Sequence, residues 1–316
     1  MFEFIQVPGA PAGQNKIRLY RNFSPACQRT MLVVPGFNGY LETYDTLIQM
    51  FISLGFNVIS FEYRGSGLSD NFTQKFGHHH LTSLTSLRED LETVFACIPL
   101  DQQLYMAAVS FGSVTSLHFL ADSPLANRIE KLILLAPMIK FLTNKWPQSL
   151  ARWYGWIGSK LFAETTVYKN YDHGLYDSEK GIFLMYMSFY DPLITKTNAL
   201  IGCSCPIEIE RALKIADYYK DQPNTASILT YKTLNILFQL IDTLPPADSL
   251  KIPLLMFTAG KDFYVDTKAS IHYGLKNKNC HIVHLPKARH CLILETPENY
   301  QIMEQNIKSF LEDTSN

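Results

Sequence analysis

A serine that could act as a nucleophile lies in the stretch Ala108-Val-Ser110-Phe-Gly112. An apolar run typical of a buried strand, residues 104–107, comes directly before it, and a helix-like run, residues 113–120, directly after it. A serine on a sharp strand-to-helix turn exposes its hydroxyl, and the turn needs small residues two positions to either side. Ala108 and Gly112 meet that need, although glycine is usual at both positions. The pattern predicts Ser110 as the nucleophile of an acyl-transfer reaction.

An acid and a histidine follow in an order that completes this chemistry. Asp262 comes just after a second apolar run, residues 253–258, and His290 follows a third, residues 281–285. The histidine would take the serine proton as general base and return it to the leaving group. The aspartate would fix the tautomer of the imidazole and stabilise its charged form. Asp266 is the alternative acid, and Asp262 is preferred because it stands immediately past the strand end.

Two backbone N–H groups are predicted to stabilise the negative charge that develops on the attacked carbonyl oxygen. One belongs to Phe111, the residue after the nucleophile, and the other to Phe37, which follows Pro35 and Gly36 at the end of an apolar run. Gly36 and Gly39 would let this loop approach a substrate closely.

The elements that would position these residues alternate between short apolar strands and helical stretches. Besides the runs already named, a continuous apolar run covers residues 30–34, and further short strands are expected at residues 57–61 and 131–135. Helical periodicity covers residues 44–54 and 86–98, and an amphipathic helix is expected at 297–311. An alternating run at residues 16–20 indicates an edge strand. The pattern predicts an α/β fold, a mostly parallel twisted sheet with helices on both faces.

The alternation stops after Pro137 and resumes at Pro253. The stretch between them is too long for a loop in a compact domain. We therefore expect a core built from residues 1–137 and 251–316, with an inserted, mostly helical cap over residues 138–250.

The chain's three tryptophans, Trp146, Trp153 and Trp156, lie at the start of this cap. Their rings would either form an ordinary small core or line an acyl-binding cavity, since apolar concave sites suit apolar ligands. The second interpretation makes them substrate-binding residues.

Further motifs match a known family residue by residue. The family pattern D-x-R-G-x-G-x-S corresponds to Glu62 through Ser69. A histidine and a D-L pair in the family correspond to His80 and to Asp90 with the leucine after it, and the family's strand end before the cap corresponds to Leu134 through Met138. The patterns D-x-x-V and H-x-x-x-x-E correspond to Asp262 with Val265 and to His290 with Glu295. With these motifs the chain resembles the monoacylglycerol lipase and bacterial lysophospholipase family of α/β-hydrolases, a group of serine aminopeptidase S33-like hydrolases. The resemblance covers about residues 31–137 and 253–316.

The resemblance implies an α/β-hydrolase fold, a triad of Ser110, Asp262 and His290, and lipid ester substrates. Three positions depart from the family pattern. Glu62 replaces an aspartate, Pro35 replaces the usual histidine before Gly36, and Ala108 replaces a glycine. Some lysophospholipase-like members also carry Pro-Gly at this loop.

Composition excludes other classes of function. The formal net charge is −1, so nothing indicates nucleic-acid binding, which needs a basic stripe.

Residues 78–80 are three consecutive histidines, but adjacent residues cannot easily direct three rings at one ion, so no metal and no other cofactor is expected. The sequence shows neither a signal peptide nor a transmembrane run, which predicts a cytoplasmic protein able to contact a membrane or micelle surface peripherally.

Three hypotheses for the function remain open at this stage. The first is hydrolysis of lysophospholipid or monoacylglycerol esters through an acyl-enzyme. The second is different acyl chemistry at the same site, in a thioesterase, an acyltransferase or a small-ester esterase. The third is a non-catalytic lipid-binding protein with a hydrolase fold, which the presence of all three triad residues argues against.

Overall fold

The computed structural model describes residues 1–37, 39, 41–70, 78–142, 147–165, 176–177, 182–183, 228–262 and 264–313. An eight-stranded sheet lies at its centre. The strands are β1 (Phe2–Gln6), β2 (Lys16–Asn22), β3 (Arg29–Val34), β4 (Asn57–Phe61), β5 (Gln103–Val109), β6 (Ile129–Leu135), β7 (Leu254–Ala259) and β8 (Cys280–Leu285). Their order across the sheet is β1-β2-β4-β3-β5-β6-β7-β8.

Every neighbouring pair from β4 to β8 is parallel, and the two pairs that involve β2 are antiparallel. The predicted mostly parallel sheet is therefore confirmed. Because parallel strands share one direction, the carboxyl ends of β3, β5, β7 and β8 meet at one edge of the sheet, where ligands usually bind in α/β proteins.

The prediction of β2 as the edge strand is wrong. β1 lies outside it, and the two pair along five residues, from Phe2 opposite Tyr20 to Gln6 opposite Lys16. Alternation over Phe2–Gln6 covers only five residues, which is too few to predict a strand from the sequence alone. Pairing with β2 stabilises this segment as a strand.

Seven helices are described: α1 (Asp45–Ser53), α2 (Leu84–Phe95), α3 (Phe111–Asp122), α4 (Gln148–Leu161), α5 (Tyr231–Asp242), α6 (Thr267–Leu275) and α7 (Pro297–Glu312). Alternate residues of β3 enter two separate cores. Met31 and Val33 pack with α1 and α7, whereas Leu32 and Val34 pack with α2 and α3. Helices on both faces explain why the central strands are continuously apolar.

Two of the seven helices come from the predicted cap segment. α4 and α5 pack closely, since a methyl group at Gly158 would collide with the ring of Tyr231 and one at Gly155 would lie 3.2 Å from Leu234. Within this segment the sequence favours helices over residues 207–219 and 226–240. The second is met from Tyr231 onward, and the first lies outside the described residues. The cap boundaries at 138 and 250 stay predictions. None of the described helices is long and apolar enough to span a membrane.

Candidate active site

Ser110 stands at the junction of β5 and α3 in a backbone conformation that residues other than glycine rarely adopt, with φ 50° and ψ −112°. Such strain persists only where surrounding contacts impose it. Here the Ser110 N–H donates to the carbonyl oxygen of Leu135 at 2.9 Å, and the Ser110 carbonyl accepts from the Met138 N–H at 3.2 Å. The end of β6 therefore fixes the turn from which the hydroxyl projects.

The two small residues that flank Ser110 have different surroundings. A methyl group at Gly112 would lie 2.6 Å from the carbonyl oxygen of Val34 and would also collide with that of Pro35. Ala108 is fully buried in the apolar core, and its carbonyl accepts the hydroxyl of Ser113 at 3.0 Å. Only the helix side of the turn thus requires glycine, and the methyl group of Ala108 fits.

Gly112→Ala is therefore expected to destabilise the protein by about 1–3 kcal/mol, the range for forcing an extra methyl group into a packed site. Turnover should fall as well, because the collision would displace Pro35, the first residue of the predicted oxyanion loop (residues 35–41). Unfolding in urea and ester hydrolysis would measure the two effects. Ala108→Gly is the matched control, costing about 1 kcal/mol with activity kept within a few-fold. A Gly112→Ala protein as stable and active as wild type would refute the close-approach argument.

The structure brings the three predicted triad residues together. His290 Nε2 lies 2.8 Å from Ser110 Oγ, and His290 Nδ1 lies 2.7 Å from Asp262 Oδ2. The Asp262 side chain is fully buried, and its other oxygen accepts the N–H groups of Tyr264 at 2.8 Å and Val265 at 3.0 Å. With a proton on Nδ1 directed at the carboxylate, Nε2 is left to accept the proton of the serine hydroxyl.

The loops that carry the acid and the base are tied to each other. The Lys261 N–H donates to the carbonyl of Ala288 at 2.9 Å, and a methyl group at Gly260 would collide with Pro286. The Arg289 N–H donates to Glu295 Oε1 at 2.6 Å. The glutamate of the H-x-x-x-x-E motif therefore holds the backbone next to the histidine.

Asp266, the alternative acid, has another role in this structure. It caps α6, where its side chain accepts the Ala269 N–H at 3.1 Å, and it pairs with Lys140 at 2.8 Å. The hydrogen bond from Lys140 lowers the pKa of Asp266. The carboxylate that faces His290 is that of Asp262.

Both predicted oxyanion donors lie in segments that border Ser110. Phe111 is the first residue of α3, a position whose N–H has no acceptor within the helix. Gly36 places the other loop beside the serine, since a methyl group on it would lie 3.5 Å from Ser110 Cβ. The rings of Phe37 and Phe111 meet edge to face with centroids 5.6 Å apart, so the two segments pack against each other.

The predicted cap tryptophans have a different setting. Trp153 and Trp156 are 61% and 52% exposed on α4, on a different face from the glycines that pack against α5. Trp146 lies outside the described residues. A substrate-binding role for the three stays a prediction.

Tyr264 is a site residue that the sequence reasoning missed. Its ring centroid lies 5.1 Å from that of His290, its N–H binds Asp262, and its carbonyl accepts the N–H of Leu142 at 2.7 Å. It therefore links Asp262, His290 and the first residues of the predicted cap. Its place within the D-x-x-V motif, between Asp262 and Val265, is the signal that could have drawn attention to it.

The histidine run forms part of the packing. The sequence favours a loop at this run, but residues 78–79 pair in parallel with residues 228–229. His80 Nδ1 lies 3.0 Å from Thr230 Oγ1 in a buried contact. The described part of the chain holds no cluster of three or more side chains of the kinds that bind metals.

Glu62, which replaces the family aspartate, is buried beneath the oxyanion loop. Its carboxylate accepts the N–H groups of Leu41 at 3.0 Å and Leu68 at 2.7 Å and pairs with Arg18 at 3.1 Å. Burial raises the pKa of Glu62 to about 7, and the charge of Arg18 opposes that rise. Glu62 therefore anchors Leu41, the residue where the oxyanion loop ends.

This strand order, with serine, aspartate and histidine beyond the ends of β5, β7 and β8, is the α/β-hydrolase fold. The chain belongs to the family described as serine aminopeptidase, S33, whose model matches residues 25–297. No curated protein matches the sequence.

Solved structures share this fold at low sequence identity. A soluble variant of monoglyceride lipase from Saccharomyces cerevisiae, in complex with a substrate analog, is 15% identical with a TM-score of 0.68, covering 99% of this chain and 94% of that one. Monoacylglycerol lipase from Paleococcus ferrophilus is 16% identical with a TM-score of 0.66, covering 93% and 98%. A thermophilic esterase from Thermogutta terrifontis is 15% identical with a TM-score of 0.63, covering 98% of both chains.

Proposed function

We propose that this protein is a serine hydrolase that cleaves carboxylic esters of lipids, with a lysophospholipid or a monoacylglycerol as substrate. The observation that carries the proposal is the unbroken chain of hydrogen bonds from Ser110 through His290 to Asp262. A serine hydroxyl is a poor nucleophile at neutral pH, and such a chain activates it.

The first half of the reaction forms an acyl-enzyme. Ser110 Oγ attacks the ester carbonyl while His290 Nε2, 2.8 Å away, accepts the hydroxyl proton. The N–H groups of Phe37 and Phe111 stabilise the oxyanion of the tetrahedral intermediate. Its collapse breaks the ester bond, and the imidazolium returns its proton to the leaving alcohol.

The second half releases the acid. His290 deprotonates a water molecule, the resulting hydroxide attacks the acyl-enzyme, and Ser110 leaves as the alcohol after reclaiming the proton from His290. Asp262 stabilises the imidazolium in both halves. Its burial makes this pairing stronger than it would be in water.

The course of the chain beyond β6 supports a cap that contributes to substrate choice. The Met138 N–H donates to the Ser110 carbonyl, and the Leu142 N–H donates to the carbonyl of Tyr264, the residue packed on His290. The predicted cap therefore begins beside the nucleophile and the base. Exposed apolar side chains on and just after α4, including Trp153 and Trp156, suit contact with an acyl chain or a lipid aggregate.

A substrate panel tests the proposed function. It would contain a long-chain lysophospholipid, a long-chain monoacylglycerol, an acetyl ester, an acyl thioester and an aminoacyl anilide, the last because of the family's description. We expect the two lipid esters to have the highest kcat/KM. A preference for the thioester or the anilide would reject the lipid-ester proposal and keep the serine hydrolase, and hydrolysis of none would reject both.

Alanine substitution of the cap tryptophans tests the origin of the lipid preference. An acyl chain gains about 0.8 kcal/mol for each CH₂ buried, so loss of a few buried methylene contacts should lower kcat/KM for long-chain esters about tenfold. Trp146→Ala, Trp153→Ala and Trp156→Ala should each leave the acetyl ester within about twofold. Phe4→Ala, which removes an aromatic ring that is 57% exposed on β1, is the control.

Two outcomes are informative here. An unchanged ratio of long-chain to acetyl-ester hydrolysis in all three tryptophan variants would show that these rings serve packing only. An equal loss with Phe4→Ala would indicate a general effect of surface aromatic residues and not a cap function.

A further inference from the structure

Two glycines of the oxyanion loop, Gly36 and Gly39, contact the buried hydroxyl group of Tyr44. Tyr44 ends the short 3-10 turn Leu41–Tyr44 just after the loop and is 4% exposed. Its hydroxyl oxygen accepts the N–H of Gly36 at 2.7 Å. Methyl groups at Gly36 and Gly39 would lie 3.2 Å and 2.5 Å from that oxygen. The loop therefore touches the hydroxyl from two sides and has room only for glycine at Gly39.

This hydrogen bond decides which N–H of the loop can face the substrate. Gly36 stands between the phenol and the nucleophile, since a methyl group on it would also lie 3.5 Å from Ser110 Cβ. Its N–H is directed to Tyr44 and so is turned away from the reacting carbonyl. The next N–H, that of Phe37, is then the one that the loop can present.

Two further contacts, besides that of Tyr44, fix the ends of the loop. Pro35 continues directly from β3, and Leu41 is held by Glu62 Oε1 at 3.0 Å. Between them a turn forms, in which the Gly39 N–H donates to the Gly36 carbonyl at 3.1 Å. Burial raises the pKa of Tyr44, so its hydroxyl stays neutral and remains a constant anchor for this turn.

We propose that Tyr44 is a positioning residue that holds the oxyanion loop so that the Phe37 N–H meets the developing charge, an inference that rests on the proposed role of Ser110 as nucleophile. A preorganised donor acts on the transition state more than on the bound substrate. Loss of the anchor should therefore lower kcat and leave KM nearly unchanged.

Tyr44→Phe tests this inference, since it removes only the hydroxyl oxygen. We expect kcat for an ester to fall about 10- to 100-fold, less than the full loss of an oxyanion donor, with KM within about twofold. The rate of phosphonylation of Ser110 by a fluorophosphonate should fall by the same factor. Tyr273→Phe is the matched control, because it also removes a tyrosine hydroxyl that bonds to a backbone group, the Pro245 carbonyl at 2.8 Å, but in α6.

Gly39→Ala provides a second, independent variant. Its methyl group would press on the Tyr44 hydroxyl and should slow the reaction in the wild-type background. Because both changes act on one contact, their combined effect in the double variant should be smaller than the product of the single effects.

The outcomes separate the inference from the proposed function. Wild-type rates of hydrolysis and phosphonylation in Tyr44→Phe would overturn the positioning role and leave the serine hydrolase intact. A fall in kcat accompanied by a loss of thermal stability far beyond that of Tyr273→Phe would assign Tyr44 to folding and would also overturn it. A wild-type protein that is neither labelled at Ser110 nor active on any ester would overturn the proposed function, and this inference with it.

Discussion

Replacing Ser110 with alanine is expected to lower ester hydrolysis about a million-fold and to abolish labelling by a fluorophosphonate. In the proposed mechanism the hydroxyl oxygen forms the acyl bond, and no other atom of the residue can replace it. The fold should be retained, because the strained turn is held by backbone hydrogen bonds to Leu135 and Met138 and not by the side chain. Labelling, turnover and thermal unfolding would be measured on the same preparation.

Ser116→Ala is the matched control for this substitution. Ser116 lies in the same helix, α3, and its fully buried hydroxyl has no hydrogen-bond partner among the described residues. Removing an unpaired buried polar atom is neutral or stabilising, so stability, labelling and turnover should be maintained or improved. Labelling that persists in Ser110→Ala, or that maps to another serine, would show that the nucleophile is a different residue.

The central fold could be predicted from the sequence because its signals are local. The strands β3, β4 and β6 are short and mostly apolar, and they are bounded by residues that end strands. Burial on both faces gives such strands nearly continuous apolar sequences instead of an alternating pattern. Placing Ser110, Asp262 and His290 past the ends of three parallel strands required only the rule that such strands end at one edge of the sheet. Their mutual geometry follows from that placement, whereas their catalytic roles stay predictions.

Residues whose role depends on tertiary contacts could not be found in this way. In the sequence Tyr44 is only the first residue of a predicted helix. Its hydrogen bond with Gly36 forms because the tertiary structure brings the loop into contact with its hydroxyl group. Tyr264 gains its contact with His290 in the same manner, because tertiary folding brings together two loops that are far apart along the chain. β1 was missed because a five-residue strand is specified by its partner more than by its own pattern.

The cap marks the other limit of sequence reasoning. The interrupted alternation of strands and helices predicts its insertion, but aromatic residues are compatible with both a packed core and a lipid site. α4 illustrates the point, since Gly155 and Gly158 pack against α5 while Trp153 and Trp156 are exposed. Periodicity alone does not distinguish which of these faces a substrate would use.

Asp262→Asn is expected to lower kcat about 10,000-fold with little change in stability. Asparagine keeps the shape of the side chain, and its oxygen can still accept the N–H groups of Tyr264 and Val265. Its NH₂ group then faces His290 Nδ1 and can only donate, so Nδ1 must accept and the ring proton moves to Nε2. A protonated Nε2 directed at Ser110 cannot remove the hydroxyl proton, and the base is lost while the geometry remains.

Asp266→Asn is the control, because it makes the same chemical change at the alternative acid. Asparagine caps a helix as well as aspartate does, and a partly exposed pair such as that with Lys140 contributes about 0–1 kcal/mol, so activity should stay within a few-fold. Since triad members act as one unit, adding Asp262→Asn to Ser110→Ala should cause almost no further loss. Steady-state kinetics of Asp262→Asn, Asp266→Asn, Ser110→Ala and the Ser110→Ala/Asp262→Asn double variant, each compared with wild type, would decide the assignment. A severe loss of activity in Asp266→Asn beside an active Asp262→Asn would transfer the role of the acid to Asp266.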